Sequence, residues 1–142
     1  MVQIIAGEKG KGKTKHLISK VNEDIKTSTG TIVYLDKSTK HMFELHNKIR
    51  LINATDYFIE SADGFLGFLC GIISQDHDLE KMYLDSFLTL ANLDYSDSEK
   101  LSDIIHRLDK ISEAYQTDFV ISISADADKL PDNIKQNIIL SL

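Results

Sequence analysis

With 142 residues, 42% of them hydrophobic, the chain is long enough for one domain with its own core and too short for two ordinary ones. Its lone cysteine, Cys70, excludes an internal disulfide and fits a reducing compartment. No apolar run approaches the ~20 residues of a membrane span, and the formal net charge of −6 argues against general affinity for nucleic acid.

That charge is unevenly spread. Residues 1–50 carry ten Lys/Arg against five Asp/Glu, whereas residues 51–142 carry six against seventeen. The amino-terminal third is therefore the end expected to meet an anion. The start "MVQIIAG" has no basic leader, so the expected location is cytoplasmic, without membrane insertion.

In chain order, "VQIIA" (2–6) reads as a strand. A helix is expected from about Thr14, with Leu17, Ile18, Val21 and Ile25 on one face, stopped by Ser28, Thr29 and Gly30. "TIVYLD" (31–36) is almost continuously apolar and reads as a strand buried on both faces. A short helix is expected over 38–47 and a short strand over 49–53. Residues 61–75 read as a helix, with Gly64, Gly67 and Gly71 on one side, where close packing on a sheet would explain them.

"KMYLD" (81–85) reads as a third strand. Ser96 and Glu99 are spaced as a capping box, ahead of a stripe formed by Leu101, Ile104, Ile105, Leu108, Ile111 and Tyr115. "DFVISIS" (118–124) reads as a fourth strand. The tail "IKQNIILSL" fits an edge strand or a helical turn equally. Short β-branched runs alternating with helical ones predict an α/β fold, a three-layer αβα sandwich with a mainly parallel sheet of about five strands. Residues 1–142 are expected to form a single domain.

Between the first strand and first helix lies "GEKGKGKT", Gly7–Thr14, which fits G-x-x-x-x-G-K-[ST]. Glycines let a loop curl so that successive N–H groups point inward at a phosphate. In that geometry Lys13 reaches the β- and γ-phosphates, the Thr14 hydroxyl takes Mg²⁺, and the helix start adds its dipole. Average residue frequencies give such a match by accident roughly once in two hundred chains of this length. The strand before it and the helix after it are what separate this one from accident. The candidate phosphate-binding set is Gly7, Glu8, Lys9, Gly10, Lys11, Gly12, Lys13, Thr14 and Lys15.

On these residues the chain resembles the P-loop NTPases. The resemblance implies a P-loop core that binds a nucleoside triphosphate with Mg²⁺, and a second motif, an apolar strand ending in Asp that holds the metal through water. Asp36 and Asp85 both end such strands. Asp36 follows the first strand after the helix, and Asp85 comes a full crossover later, an order similar to that of the RecA-like branch. That similarity implies Asp85 for Mg²⁺, Asp36 as candidate general base, and Ser124 as a polar group beside the γ-phosphate. Where many relatives place Glu directly after the metal aspartate, this chain has Ser86. Along its whole length the chain looks like short bacterial P-loop proteins that carry a twitching-motility ATPase label; a retraction motor's second domain has no room in it.

No D-x-x-G occurs, and "NKIR" (47–50) lacks the Asp of N-K-x-D, which disfavours a GTPase and leaves adenine nucleotide by elimination. A small-molecule kinase needs arginines to clamp phosphates, and only Arg50 and Arg107 are present. The same shortage implies an arginine from a protein partner or a second copy for fast turnover. The five histidines form no metal constellation. Two main readings stay open: a slow or partner-stimulated ATPase, and an ATP-binding adaptor or sensor with little hydrolysis. A small-molecule kinase is the lesser third.

Overall fold

Five residues in succession, Val2–Ala6, form strand β1, and the glycine-rich loop carries the chain into helix α1, Lys13–Thr27. The computed structural model describes residues 1–142. There follow β2 (Thr31–Asp36), β3 (Arg50–Asn53), α2 (Ala62–Ser74), β4 (Leu79–Leu84), the single turn α3 (Phe87–Leu90), α4 (Ser98–Tyr115), β5 (Asp118–Ile123) and β6 (Ile138–Ser141). The strands make one sheet in the order β3-β2-β4-β5-β1-β6, and every pair in it is parallel. The tail is thus resolved as an edge strand, and the sheet has six strands where about five were expected.

The period of two along each strand sorts side chains between two cores. Ile5, Tyr34, Tyr83 and Val120 face Leu17 and Val21 of α1. Ile4, Val33, Met82 and Ile121 face the opposite side, where α2 and α4 supply Leu69, Ile104 and Leu108. Such strands are buried on both faces, which is why they read as apolar runs.

The connections β1–β2 and β2–β3 advance toward the β3 edge and cross the α1 face, the second through Leu45 and Ile49. The connections β3–β4, β4–β5 and β5–β6 advance the other way and cross the opposite face, the last through Leu130 and Ile134. A single handedness of crossover requires that opposite directions use opposite faces. The chain therefore diverges at the carboxyl ends of neighbours β2 and β4, and again at β5 and β1. Crevices at such points are where open α/β sheets bind ligands.

Four expectations are corrected. The helix expected over 38–47 is only a 3₁₀ turn, Met42–Glu44. The crossover is held instead by Leu45 and Ile49, buried on the α1 face, and by Asn22 of α1, whose side chain donates to the Glu44 carbonyl and accepts from the His46 amide. Gly67 and Gly71 face open space, so close packing on the sheet does not explain them; α2 buries Phe65, Leu66, Leu69, Ile72 and Ile73 instead. Helix α4 is capped by Asp97, whose Oδ1 accepts from the Lys100 amide at 3.2 Å, and not by Ser96. Tyr115 leaves the buried stripe and is exposed.

Candidate functional site

The loop between β1 and α1 owes its shape to its glycines, each for a stated reason. At Gly7 an added Cβ would stand 3.0 Å from the Leu142 Cβ and 3.3 Å from its carbonyl oxygen, because Leu142 bonds alongside Ala6. Gly10 and Gly12 have space around them but hold φ of 87° and 90°, a conformation that strains any residue with a Cβ. Helix α1 starts on Gly12 with no side-chain cap and no acidic residue in its first turn, unlike α4, which has Asp97 and Glu99 there. The positive end of α1 is thus left for an external anion.

Lys13 is only 8% exposed, and its Nζ donates to the Glu8 carbonyl at 3.1 Å. Burial pulls its pKa below the usual lysine value, with the Asp85 charge acting in the opposite sense. A carbonyl accepts a hydrogen bond without neutralising the ammonium, so an anion at this point would relieve a real electrostatic cost.

Asp36 and Asp85 each lie two residues beyond a tyrosine of the α1 face, Tyr34 and Tyr83, and each is 3% exposed. The two rings stack, 6.2 Å between centroids and 11° between planes. Tyr34 donates its hydroxyl to Asp85 Oδ2 at 2.9 Å, and Ser122 donates to Asp85 Oδ1 at 2.8 Å. The Ser122 oxygen accepts in turn from the Ser86 amide at 2.8 Å. Burial, followed by the adjacent Asp85 carboxylate, drives the Tyr34 pKa far upward, so its proton stays in place. Tyr83 donates to Asp24 of α1.

Asp36 is treated differently. Its Oδ1 accepts from the Lys37 amide at 2.7 Å, while Oδ2 is buried without any partner. Burial is the largest influence and raises its pKa; the Lys37 amide opposes the rise, and the Asp85 charge adds to it. A partnerless buried carboxylate oxygen is rare enough to call for a ligand, a water or an ion.

Above these groups is a cavity of about 560 Å³, lined by fourteen residues of which none is hydrophobic. Small-molecule pockets are mostly apolar, so this lining suits a densely charged ligand. The cavity brings together Lys9, Gly10, Gly12, Lys13, Thr14, Asp36, Asp85 and Ser124 of the expected set. Gly7 is buried and does not line it, and Glu8, Lys11 and Lys15 are exposed outside it. Arg50 pairs with Asp76 and Arg107 with Asp63, and neither lines the cavity.

Ser86 lines it too, and sequence reasoning missed Ser122, Thr89, Lys37, Lys40 and His41, which also line it, and Tyr34, which supports Asp85 from the α1 face. Two signals were readable. A serine within the apolar run "FVISI" and a tyrosine within a doubly buried strand both need polar partners. A larger depression of about 710 Å³ lies around Met1 and α4, but no buried ionisable group lines it.

No family model and no curated protein matches this sequence. The fold is that of an α/β protein with a parallel sheet between helices, in which β4, the strand that leads into Asp85, is separated from β1 by β5. Among solved structures it is similar to the flagellar accessory protein FlaH from Methanocaldococcus jannaschii. The match has a TM-score of 0.57 and 15% sequence identity, and covers 95% of this chain and 65% of that one. The chain thus spans about two thirds of that protein's length, and at this identity the likeness is one of fold.

Proposed function

We propose that this chain binds a nucleoside triphosphate with Mg²⁺, adenine nucleotide by preference, and hydrolyses it slowly unless a partner assists. The observation that carries the reading is the glycine-lysine loop at the uncapped head of α1, with Lys13 buried beside it and two buried aspartates across the cavity. The groups suit Mg²⁺, which keeps several waters and takes one or two carboxylates plus phosphate oxygens, rather than a cage of protein ligands. No cluster of three or more His, Cys, Asp or Glu is present to form such a cage. Thr14 and Asp85 would hold the ion, which would neutralise charge on the phosphates. Lys9 and Lys13 would hold the phosphates, Ser124 would stand beside the last one, and Asp36 would orient the attacking water.

The second reading, an adaptor or sensor that binds ATP and barely hydrolyses it, is favoured by two observations. No arginine lines the cavity, and the residue after Asp85 is Ser86. A protein partner or a second copy is then the source of any missing cation. We place the protein in the cytoplasm, on the single cysteine and on the absence of any helix long and apolar enough to cross a membrane. Phosphate release by the purified protein, alone and with extract of its own cells, tests the choice. Release that rises on adding extract supports the assisted ATPase. Tight Mg·ATP binding with no release under either condition establishes the adaptor.

A further inference from the structure

In the sheet, β1 and β2 stand three strand spacings apart, about 14 Å. The glycine-rich loop therefore occupies one end of the cavity, and Asp36, Lys37 and Lys40 occupy the other. Lys37 and Lys40 are exposed and make no ion pair. Their neighbour His41 is already matched by Glu44.

Through Lys37 and Thr89, which line both spaces, the cavity continues into a groove of about 220 Å³. Its lining includes Ala54, Phe58, Ile59 and Leu90. Phe58 is 87% exposed and is held at φ 57°. A bulky aromatic side chain in left-handed backbone is a genuine outlier, and such strain collects at ligand sites. An apolar wall thus adjoins two lysines that make no ion pair, at the end of the cavity away from the phosphate loop.

We propose that this end is a second ligand subsite, which takes a small organic anion with an apolar or aromatic body, bound beside the nucleotide and at the same time. The anionic head meets Lys37 and Lys40, and the body lies on Phe58 and Ile59. The Asp36 carboxylate keeps the head on the lysine side by repulsion. The proposal rests on the nucleotide reading of the loop end, and its test separates the two.

Phenyl phosphate is the probe, titrated into protein saturated with Mg²⁺ and a non-hydrolysable ATP analogue and followed by calorimetry and amide NMR shifts. The expected result is binding without loss of the nucleotide. The Lys37→Ala/Lys40→Ala double variant, both exposed positions, should weaken the probe about tenfold or more, and by a larger factor than it weakens the nucleotide. Phe58→Ala should weaken phenyl phosphate but leave inorganic phosphate unchanged. Displacement of the nucleotide would give the groove to its base or the probe to the loop, and would overturn the proposal. So would absence of probe binding, or equal affinity in the double variant. If the nucleotide itself fails to bind, that reading falls alone. The subsite is then judged on nucleotide-free protein, where probe binding must survive Lys13→Ala and be lost in the double variant.

Discussion

The Tyr34 hydroxyl and Asp85 Oδ2 are 2.9 Å apart and fully buried, joining β2 to the residue just past β4. Ser122 holds the other oxygen of the same carboxylate from β5. Asp85 is therefore fixed from both neighbouring strands before any ligand arrives. Tyr34→Phe leaves Asp85 Oδ2 without its donor and is expected to cost about 1–3 kcal/mol of stability. Urea unfolding measures it, and a cost near zero would mean that water replaces the hydroxyl.

The two strand-end carboxylates are assigned different tasks. Asp85→Asn should make triphosphate binding nearly insensitive to Mg²⁺, whereas Asp36→Asn should leave that sensitivity intact. Titrations with and without the metal check this, and the reverse pattern would exchange the two aspartates. The partnerless Oδ2 of Asp36 makes the comparison worth doing in both variants.

Asp36 also predicts a pH dependence. Its pKa is raised in the folded state, chiefly by burial. A raised carboxyl pKa means that the folded protein holds its proton more tightly than the unfolded chain does. Stability from this group is then greatest below the unfolded value and declines as pH rises through the folded one. Asp36→Asn should accordingly stabilise the ligand-free protein at neutral pH, and the gain should shrink toward acid pH. Thermal unfolding at several pH values tests the sign.

Turnover should be slow. Hydrolysis needs a carboxylate to orient water and a cation for the charge that develops on the phosphate. Lys13 meets the second need only in part, since Arg50 and Arg107 are committed to Asp76 and Asp63. A supplied arginine is worth about 10³–10⁵ in rate where one operates. The isolated protein is expected to run well under the ~10 s⁻¹ typical of enzymes, and Asp36→Asn should lower the residual rate without loosening binding. Steady-state phosphate release reads both.

Much of this layout was legible in the residues because it depends on local pattern. Gly7–Thr14 between a strand and a helix marks its own geometry, and strands apolar on both faces announce a parallel sheet. Asp36 and Asp85 were visible as polar ends of apolar runs. What could not be read depends on strand neighbours. Tyr34 and Ser122 reach Asp85 only because β4 sits between β2 and β5, and no spacing along the chain encodes that order. The crossover after β2 misled for a related reason. Its "STKHMFELHN" has helical composition, but Leu45 and Ile49 are buried on the α1 face and Asn22 of α1 bonds the Glu44 carbonyl and the His46 amide, partners distant in sequence, and only a turn forms.

The central claim is that the loop at the head of α1 holds the phosphates of a nucleotide, with Lys13 as its one buried cation. The direct test is Mg·ATP affinity by calorimetry for the parent, Lys13→Ala and Lys15→Ala, each shown to be folded. Loss of a charge-assisted contact of about 1.5–3 kcal/mol predicts weakening by tenfold or more for Lys13→Ala and far less for the exposed Lys15→Ala. Equal affinity of Lys13→Ala and the parent would contradict the account.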